Sequence, residues 1–295
     1  MPKRPLIFDS DALRSFVTGI ELGNFALAAA RLGRSTSSIS AQLKKLEQQA
    51  GTDLVQKSGR NLVLTPRGEI MFSYARRLLE LNDEASFALA ACGLQGEARV
   101  GFQEDFGEVL LPPVLSQFSR AHPDVQISAT VTQNPPLIRS ILENKLDLAL
   151  CWHGNDETAF CESLGQLPLR WIGSPKFDLS YYLNNNIPLP LLVFDAPCLM
   201  RMKAIMALDK AGIPWRIAFT SGSLSGIWAA AAAGLGITLR TEIGVPSSLQ
   251  LYDLFELPDV GYMGINLHRA EEKMSEAVAS LYHTITEFVA DKIIA

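Results

Sequence analysis

The chain reads as an α/β protein in three parts: a winged helix-turn-helix head, a long amphipathic helix, and a body of two α/β lobes. Three observations carry this reading. The stretch FALAAARLGRSTSSISAQLKKLE at 25–47 holds two short helical periods separated by a glycine; one apolar stripe recurs through residues 69–94; and strand-like and helix-like segments alternate from there to the end.

In the head, Ala28, Ala29 and Leu32 form the apolar stripe of a short helix, which Gly33 ends. Ser35 is a good N-cap for a second helix, whose Ile39, Leu43 and Leu46 recur at three- and four-residue spacing. The face left over carries Thr36, Ser37, Ser40, Ala41 and Lys44, short, hydroxyl-rich and basic, which suits contact with base edges and phosphates. After the turn Gly51-Thr52-Asp53, the segment from Leu54 to Leu64 doubles back through Lys57-Ser58-Gly59-Arg60-Asn61, and Thr65-Pro66-Arg67-Gly68 closes it. That is a wing with Arg60 at its tip, suited to a minor groove. Charge follows the same division: residues 1–68 hold ten Lys or Arg against five Asp or Glu, a net of +5, and the remainder sixteen against twenty-six, a net of −10.

These residues resemble the LysR-type transcriptional regulators. The match runs through Leu13, Phe16, Gly23-Asn24-Phe25, Ala28-Ala29, Leu32, Ser35, Ser40, Gln42, Leu43, Leu46-Glu47, Gly51, Leu54, Gly59-Arg60, Leu64-Thr65 and Gly68. Thr36 stands where the family often has glutamine, Ala41 where arginine is common, and Val55 and Lys57 where phenylalanine and arginine are usual. The resemblance implies double-stranded DNA as partner, with Ser35, Thr36, Ser37, Ser38, Ser40, Ala41 and Lys44 at or near the major groove, Arg34 and Lys45 near phosphate, and Arg60 in the minor groove. It also implies a small-molecule effector, and it admits RNA polymerase as a further partner.

Past residue 68, Ile70, Tyr74, Leu78, Leu81, Ala85 and Leu89 mark one face of a long helix. A helix of that length between two domains needs a partner to cover its stripe, and in the resembling family this linker pairs with that of a second subunit. A homodimer, and through it a homotetramer, is therefore expected. Expected domain bounds are 1–68 for the head, 69–94 for the linker and 95–295 for the body.

In the body, strands are expected at 98–102, 125–131, 146–152, 167–172, 191–194, 215–220, 234–239 and 260–267, and helices at 109–121, 136–145, 198–211, 223–233 and 270–294. The alternation implies mostly parallel sheets with helices on both faces. Leu110-Leu111-Pro112, His122-Pro123-Asp124-Val125, Lys145-Leu146-Asp147-Leu148-Ala149 and Ala233-Gly234-Leu235-Gly236-Ile237 extend the resemblance, which implies a periplasmic-binding-protein-like effector domain. Crossings between lobes are expected near 171–174 and 264–268, giving one lobe of about 95–171 with 265–295 and another of about 172–264.

Ligands of open α/β sheets bind beyond the carboxyl ends of strands. Effector candidates are thus Gln103, Glu104 and Asp105; Thr132, Gln133 and Asn134; Trp152 and His153; Asp195; and Thr220, Ser221 and Ser223. Relatives that bind small carboxylates place serine or threonine after the first strand, where this chain has two acids, so a neutral or cationic effector, or none, is expected.

Other chemistries find little footing. No GxSxG register fits Ser221 to Gly226, the four histidines at 122, 153, 268 and 283 are scattered, and Gly234-Leu235-Gly236 lacks a third glycine in fingerprint position. No cofactor, no metal and no catalysis are expected. Four cysteines without repeating spacing point to a reducing compartment; some LysR-type proteins sense peroxide through a cysteine pair, but Cys151 reads as a buried strand residue. Met1 to Ser10 carry no apolar core, and the apolar run at 227–239 is glycine-broken, so neither export nor a membrane span is expected. The expected location is the cytoplasm, at the nucleoid. The alternatives, a solute-binding receptor or an enzyme on a two-lobed fold, would need an export signal or a catalytic set.

Overall fold

The computed structural model describes residues 7–58, 61–90, 94–154, 158–252 and 256–293. The chain divides into two compact units, Met1–Cys92 and Gly93–Ala295.

The first unit begins with α1 (Ser10–Glu21), capped by Asp9, which accepts the Ala12 N–H at 3.0 Å. Next come α2 (Phe25–Arg31), capped by Asn24, and α3 (Thr36–Ala50), capped by Ser35 and ended at Gly51 with φ +67°. Strands β1 (Val55–Ser58) and β2 (Asn61–Leu64) pair antiparallel with Val55 opposite Leu64, forming the wing; its tip, with Arg60, lies outside the described residues. Glu47 on α3 accepts the Leu54 N–H at 2.9 Å, which ties the wing to the helix before it.

The long helix α4 (Pro66–Ala90) starts three residues before the expected Glu69, because Thr65 caps it: its Oγ1 accepts the Gly68 N–H at 3.0 Å, and Pro66 needs no N–H partner there. Gly68 is required by close approach, since a Cβ there would lie 1.9 Å from the carbonyl oxygen of Leu54. One face of α4 sends Ala75 and Leu79 into a core with Leu13, Phe16, Leu46 and Leu54. The opposite face leaves Ile70, Tyr74, Leu78 and Leu81 exposed, at 61, 59, 46 and 61 %.

The second unit has two five-stranded sheets. The first contains β3 (Gly96–Gln103), β4 (Val125–Thr132), β5 (Leu148–Trp152), β6 (Phe160–Pro168) and β12 (Tyr262–Arg269), in the order β4-β3-β5-β12-β6. The second contains β7 (Arg170–Gly173), β8 (Leu189–Phe194), β9 (Trp215–Ser221), β10 (Ile237–Arg240) and β11 (Gln250–Leu251), in the order β11-β7-β10-β8-β9. Helices α5 (Glu104–Ala121), α6 (Asn134–Leu142) and α10 (Glu276–Lys292) belong to the first lobe, and α7 (Leu179–Asn184), α8 (Leu199–Ala211) and α9 (Leu224–Ala232) to the second.

The sheets are mixed, not mostly parallel. β3–β4, β3–β5, β8–β9 and β8–β10 pair parallel, while β5–β12, β6–β12, β7–β10 and β7–β11 pair antiparallel. The antiparallel partners are the strands that carry the chain between lobes. The first crossing falls at Leu169, between β6 and β7, and the second within 252–261, between β11 and β12; both precede the expected 171–174 and 264–268. Leu169 donates its N–H to the Gly261 carbonyl at 2.8 Å, so the two crossing segments run side by side.

α5 begins at Glu104, five residues before the expected Val109, with Gln103 as its cap: Oε1 accepts the Asp105 N–H at 2.8 Å. Pro112 and Pro113 therefore lie inside the helix and not in its first turn. This early start places Gln103, Glu104 and Asp105 at the boundary between the lobes. α10 begins at Glu276, six residues after the expected Ala270, capped by Ser275.

Candidate functional site

Along α3, Thr36, Ser37, Ser40, Ala41 and Lys44 are all exposed, whereas Ile39 and Leu46 are fully buried. The exposed set spaces at one, three and four residues, one helical face, with no side chain longer than threonine before Lys44. Ser38 is half-buried behind them. Local bonds fix part of the face: the Ser35 and Ser37 hydroxyls lie 2.9 Å apart, and Ser40 donates to the Thr36 carbonyl at 2.9 Å. Arg34 and Lys45 are not free cations. Arg34 pairs with Asp11 at 3.0 Å and Lys45 with Asp9 at 2.7 Å, and Lys45 holds the Asp9 carboxyl below its ordinary pKa.

In the second unit a cavity of about 200 Å³ opens between the lobes, lined by Gln103, Gln133, Asn134, Pro135 and Trp152 from one side and Phe194, Pro197, Cys198, Leu199, Met200, Met202 and Arg240 from the other. Asn134 anchors its first wall by a two-way bond with the Trp152 backbone, donating at 2.6 Å and accepting at 3.2 Å. Behind it, the buried Asp105 accepts the Trp152 indole N–H at 2.9 Å and faces Arg240 Nε at 3.3 Å across the cleft. Arg240 also donates Nη1 to the Met200 thioether at 3.3 Å and lies 4.3 Å from the Phe194 ring centroid. Glu104 makes a second tie, accepting the Leu224 N–H at the start of α9 at 2.5 Å. Its carboxyl is raised above its ordinary pKa by burial, against the opposing pull of that N–H.

Comparison with known proteins identifies both parts. Residues 10–69 match the family described as "Bacterial regulatory helix-turn-helix protein, lysR family", and residues 92–290 the "LysR substrate binding domain". The chain belongs to the LysR family of transcriptional regulators. It is 35% identical to the HTH-type transcriptional regulator DgdR of Burkholderia cepacia, over 92% of this chain and 90% of that one. To PecT of Dickeya dadantii it is 33% identical, over 88% and 82%. A putative LysR family regulator from Pseudomonas aeruginosa shares the fold, with a TM-score of 0.55 at 20% identity over 96% of this chain and 99% of that one. This LysR chain is thus a DNA-binding transcriptional regulator whose second unit is an effector-binding domain.

Within this LysR effector-binding domain the cavity gathers only part of the expected set. Gln103, Gln133, Asn134 and Trp152 line it; Asp105 sits behind Trp152, and Glu104 is taken up by the second lobe. The two acids are therefore interlobe ties and not free charges facing a ligand: Asp105 pairs with Arg240, and Glu104 meets the start of α9. Thr132 is half-buried at the end of β4 and does not line the cavity. His153 turns to Asn266 at 3.0 Å, Asp195 is exposed and donates its N–H to the Ser221 carbonyl at 3.1 Å, and Thr220 is exposed. Ser221 and Ser223 serve the start of α9, where Ser223 accepts the Gly226 N–H at 3.3 Å. The wall from Phe194 to Met202 and Arg240 went unexpected. Arg240 was within reach of the same rule that found the others, because it ends β10, just past Ile237-Thr238-Leu239.

Cys151 and Cys161 of this LysR regulator do not form a ready pair. Cys151 on β5 and Cys161 on β6 sit on opposite flanks of β12, facing Asn266 and His268. Two strand spacings separate them by at least about 9 Å, beyond the reach of a disulfide without backbone movement. Burial moreover raises the Cys161 pKa, which disfavours the reactive thiolate.

Proposed function

We propose that this regulator reads operator DNA with the exposed face of α3, as a dimer joined through α4, and that a small molecule in the interlobe cleft biases its DNA-bound state. The observation that carries the reading is the clean division of α3 into a buried apolar side and an exposed face of Thr36, Ser37, Ser40, Ala41 and Lys44. Ser35 and Ser38 support that face, Arg34 and Lys45 lie beside it, and Arg60 at the wing tip enters the minor groove. One recognition helix spans only a few base pairs, so a two-fold pair of heads is needed for a specific operator. The uncovered stripe of Ile70, Tyr74, Leu78 and Leu81 supports α4 as the joint. Pairs of dimers make a homotetramer, RNA polymerase is the partner at the promoter, and the protein acts on the chromosome in the cytoplasm. No catalysis is assigned to it.

The test is a genome-wide map of bound sites for the wild-type protein and for Thr36→Ala/Lys44→Ala. Loss of discrete sites in the variant, with dimerisation intact, is the expected result. An unchanged map would remove α3's exposed face as the reader.

A further inference from the structure

Resting on the reading of the cleft as the effector site, we infer that it selects an uncharged, mainly apolar small molecule whose single hydrogen-bond acceptor completes Arg240. The guanidinium is almost wholly buried, with 3% of its side chain exposed, yet its five N–H donors are poorly served. Among the described residues, Nη1 reaches only a thioether, Nε faces Asp105 without hydrogen-bond geometry, and Nη2 has no hydrogen-bond partner. Buried donors left unmet carry a desolvation cost that an incoming acceptor recovers.

Charge decides what brings that acceptor. Asp105, also buried, already balances Arg240, so a carboxylate ligand would place a second negative charge on one guanidinium in a low-dielectric site. A cation would meet Arg240 itself. Of the amides in the lining, Gln103 caps α5 and Asn134 is held by the Trp152 backbone, which leaves Gln133 beside Arg240 as polar contact; Pro135, Trp152, Phe194, Pro197 and Met202 offer planar and apolar surface, which disfavours a polyol. A flat ring bearing one carbonyl fits these constraints.

The experiment is calorimetric titration of the full chain at pH 7.5 with benzamide, its charged isostere benzoate, and toluene, which keeps the ring and lacks the acceptor. Benzamide is expected to bind about tenfold more tightly than either, the worth of one well-made hydrogen bond. In Asp105→Asn the charge of Arg240 is released, and the order of benzamide and benzoate is expected to reverse. Benzoate binding the wild type at least as well as benzamide, toluene matching benzamide, or no binding by any probe would each overturn the inference, and the wild-type comparison decides even where Asp105→Asn fails to fold. Met202→Trp, which narrows the cleft mouth, separates the two levels. Benzamide binding undiminished in that variant would remove the cleft as the site altogether, whereas a benzoate preference abolished by it keeps the cleft and overturns only the ligand class.

Discussion

The carboxylate of Glu104 accepts the backbone N–H of Leu224 at 2.5 Å, so an acid of the first lobe sits at the N-terminus of α9 in the second. The bond spans the cleft and satisfies one of the donors that the start of α9 leaves open. Burial nonetheless raises the Glu104 pKa above its ordinary 4.5. Between 4.5 and that raised value the folded protein holds a proton that the unfolded chain has lost, so stability falls as pH rises through the window and is level above it. Glu104→Gln keeps an acceptor for Leu224 and removes the titration. The melting temperature of the variant relative to wild type is expected to rise as pH goes from about 4 to 7. A gap that stays constant over that range would show that ionised Glu104 is no burden to the fold.

Ser37 lies on the exposed face of α3, its hydroxyl 2.9 Å from that of Ser35. Ser37→Trp should cost specific operator binding at least about 1–3 kcal/mol, the worth of a good base contact, while sedimentation shows an unchanged oligomer. Full affinity in anisotropy titrations at fixed salt would take Ser37 out of the groove.

Leu78 and Leu81 sit on the uncovered face of α4, at 46 and 61 % exposure. Leu78→Glu/Leu81→Glu places four carboxylates in a two-fold helix pair, and sedimentation velocity is expected to show monomer. The effector-binding domain should unfold as in wild type, since neither side chain belongs to its core. A persistent dimer would move the joint elsewhere.

Gly68→Ala tests the seam between wing and helix. Alanine suits a helix better than glycine, but here its methyl group meets the Leu54 carbonyl oxygen at 1.9 Å. The expected result is a loss of about 1–3 kcal/mol in denaturant unfolding of the DNA-binding unit, as for other forced overpacking. A gain in stability would mean that the wing swings away at little cost.

Local signals in the chain were readable where the physics is local. Ser35 as cap, Gly51 as stop, and the three- and four-residue spacing of Ile39, Leu43 and Leu46 determine α3 from its own fifteen residues and the two that flank them. The strand β6 was only half legible: FCESLGQLP is half-buried at most, contains Gly165 at φ +142°, and meets β12 through a register shift, so no regular alternation marks it. The start of α5 carries a weak local signal, because glutamine is not among the common caps, yet Gln103 Oε1 accepts the Asp105 N–H there. Arg240 and Asp105 stand 135 positions apart in the chain, and no periodicity links them; their pairing exists only once both sheets have formed. The candidate residues after β3 and β5 thus include Gln103 and Trp152 of the cavity lining, but none of the apolar wall that α8 contributes.

The pairing of Arg34 with Asp11 and of Lys45 with Asp9 has a consequence for the cell's ionic conditions. Salt weakens protein–DNA complexes in proportion to the phosphates that a protein neutralises, with a slope of about −0.9 per phosphate on logarithmic axes. On the reading of α3 as the DNA-facing helix, each of these pairs would meet the duplex with no net charge of its own and neutralise little. The count of basic residues around α3 thus overstates the electrostatic share of binding, and more of the affinity must come from short-range fit. If α3 reads the operator, the salt slope of binding is expected to be shallower than the number of basic residues around it implies, and operator occupancy to hold better as potassium rises inside the cell.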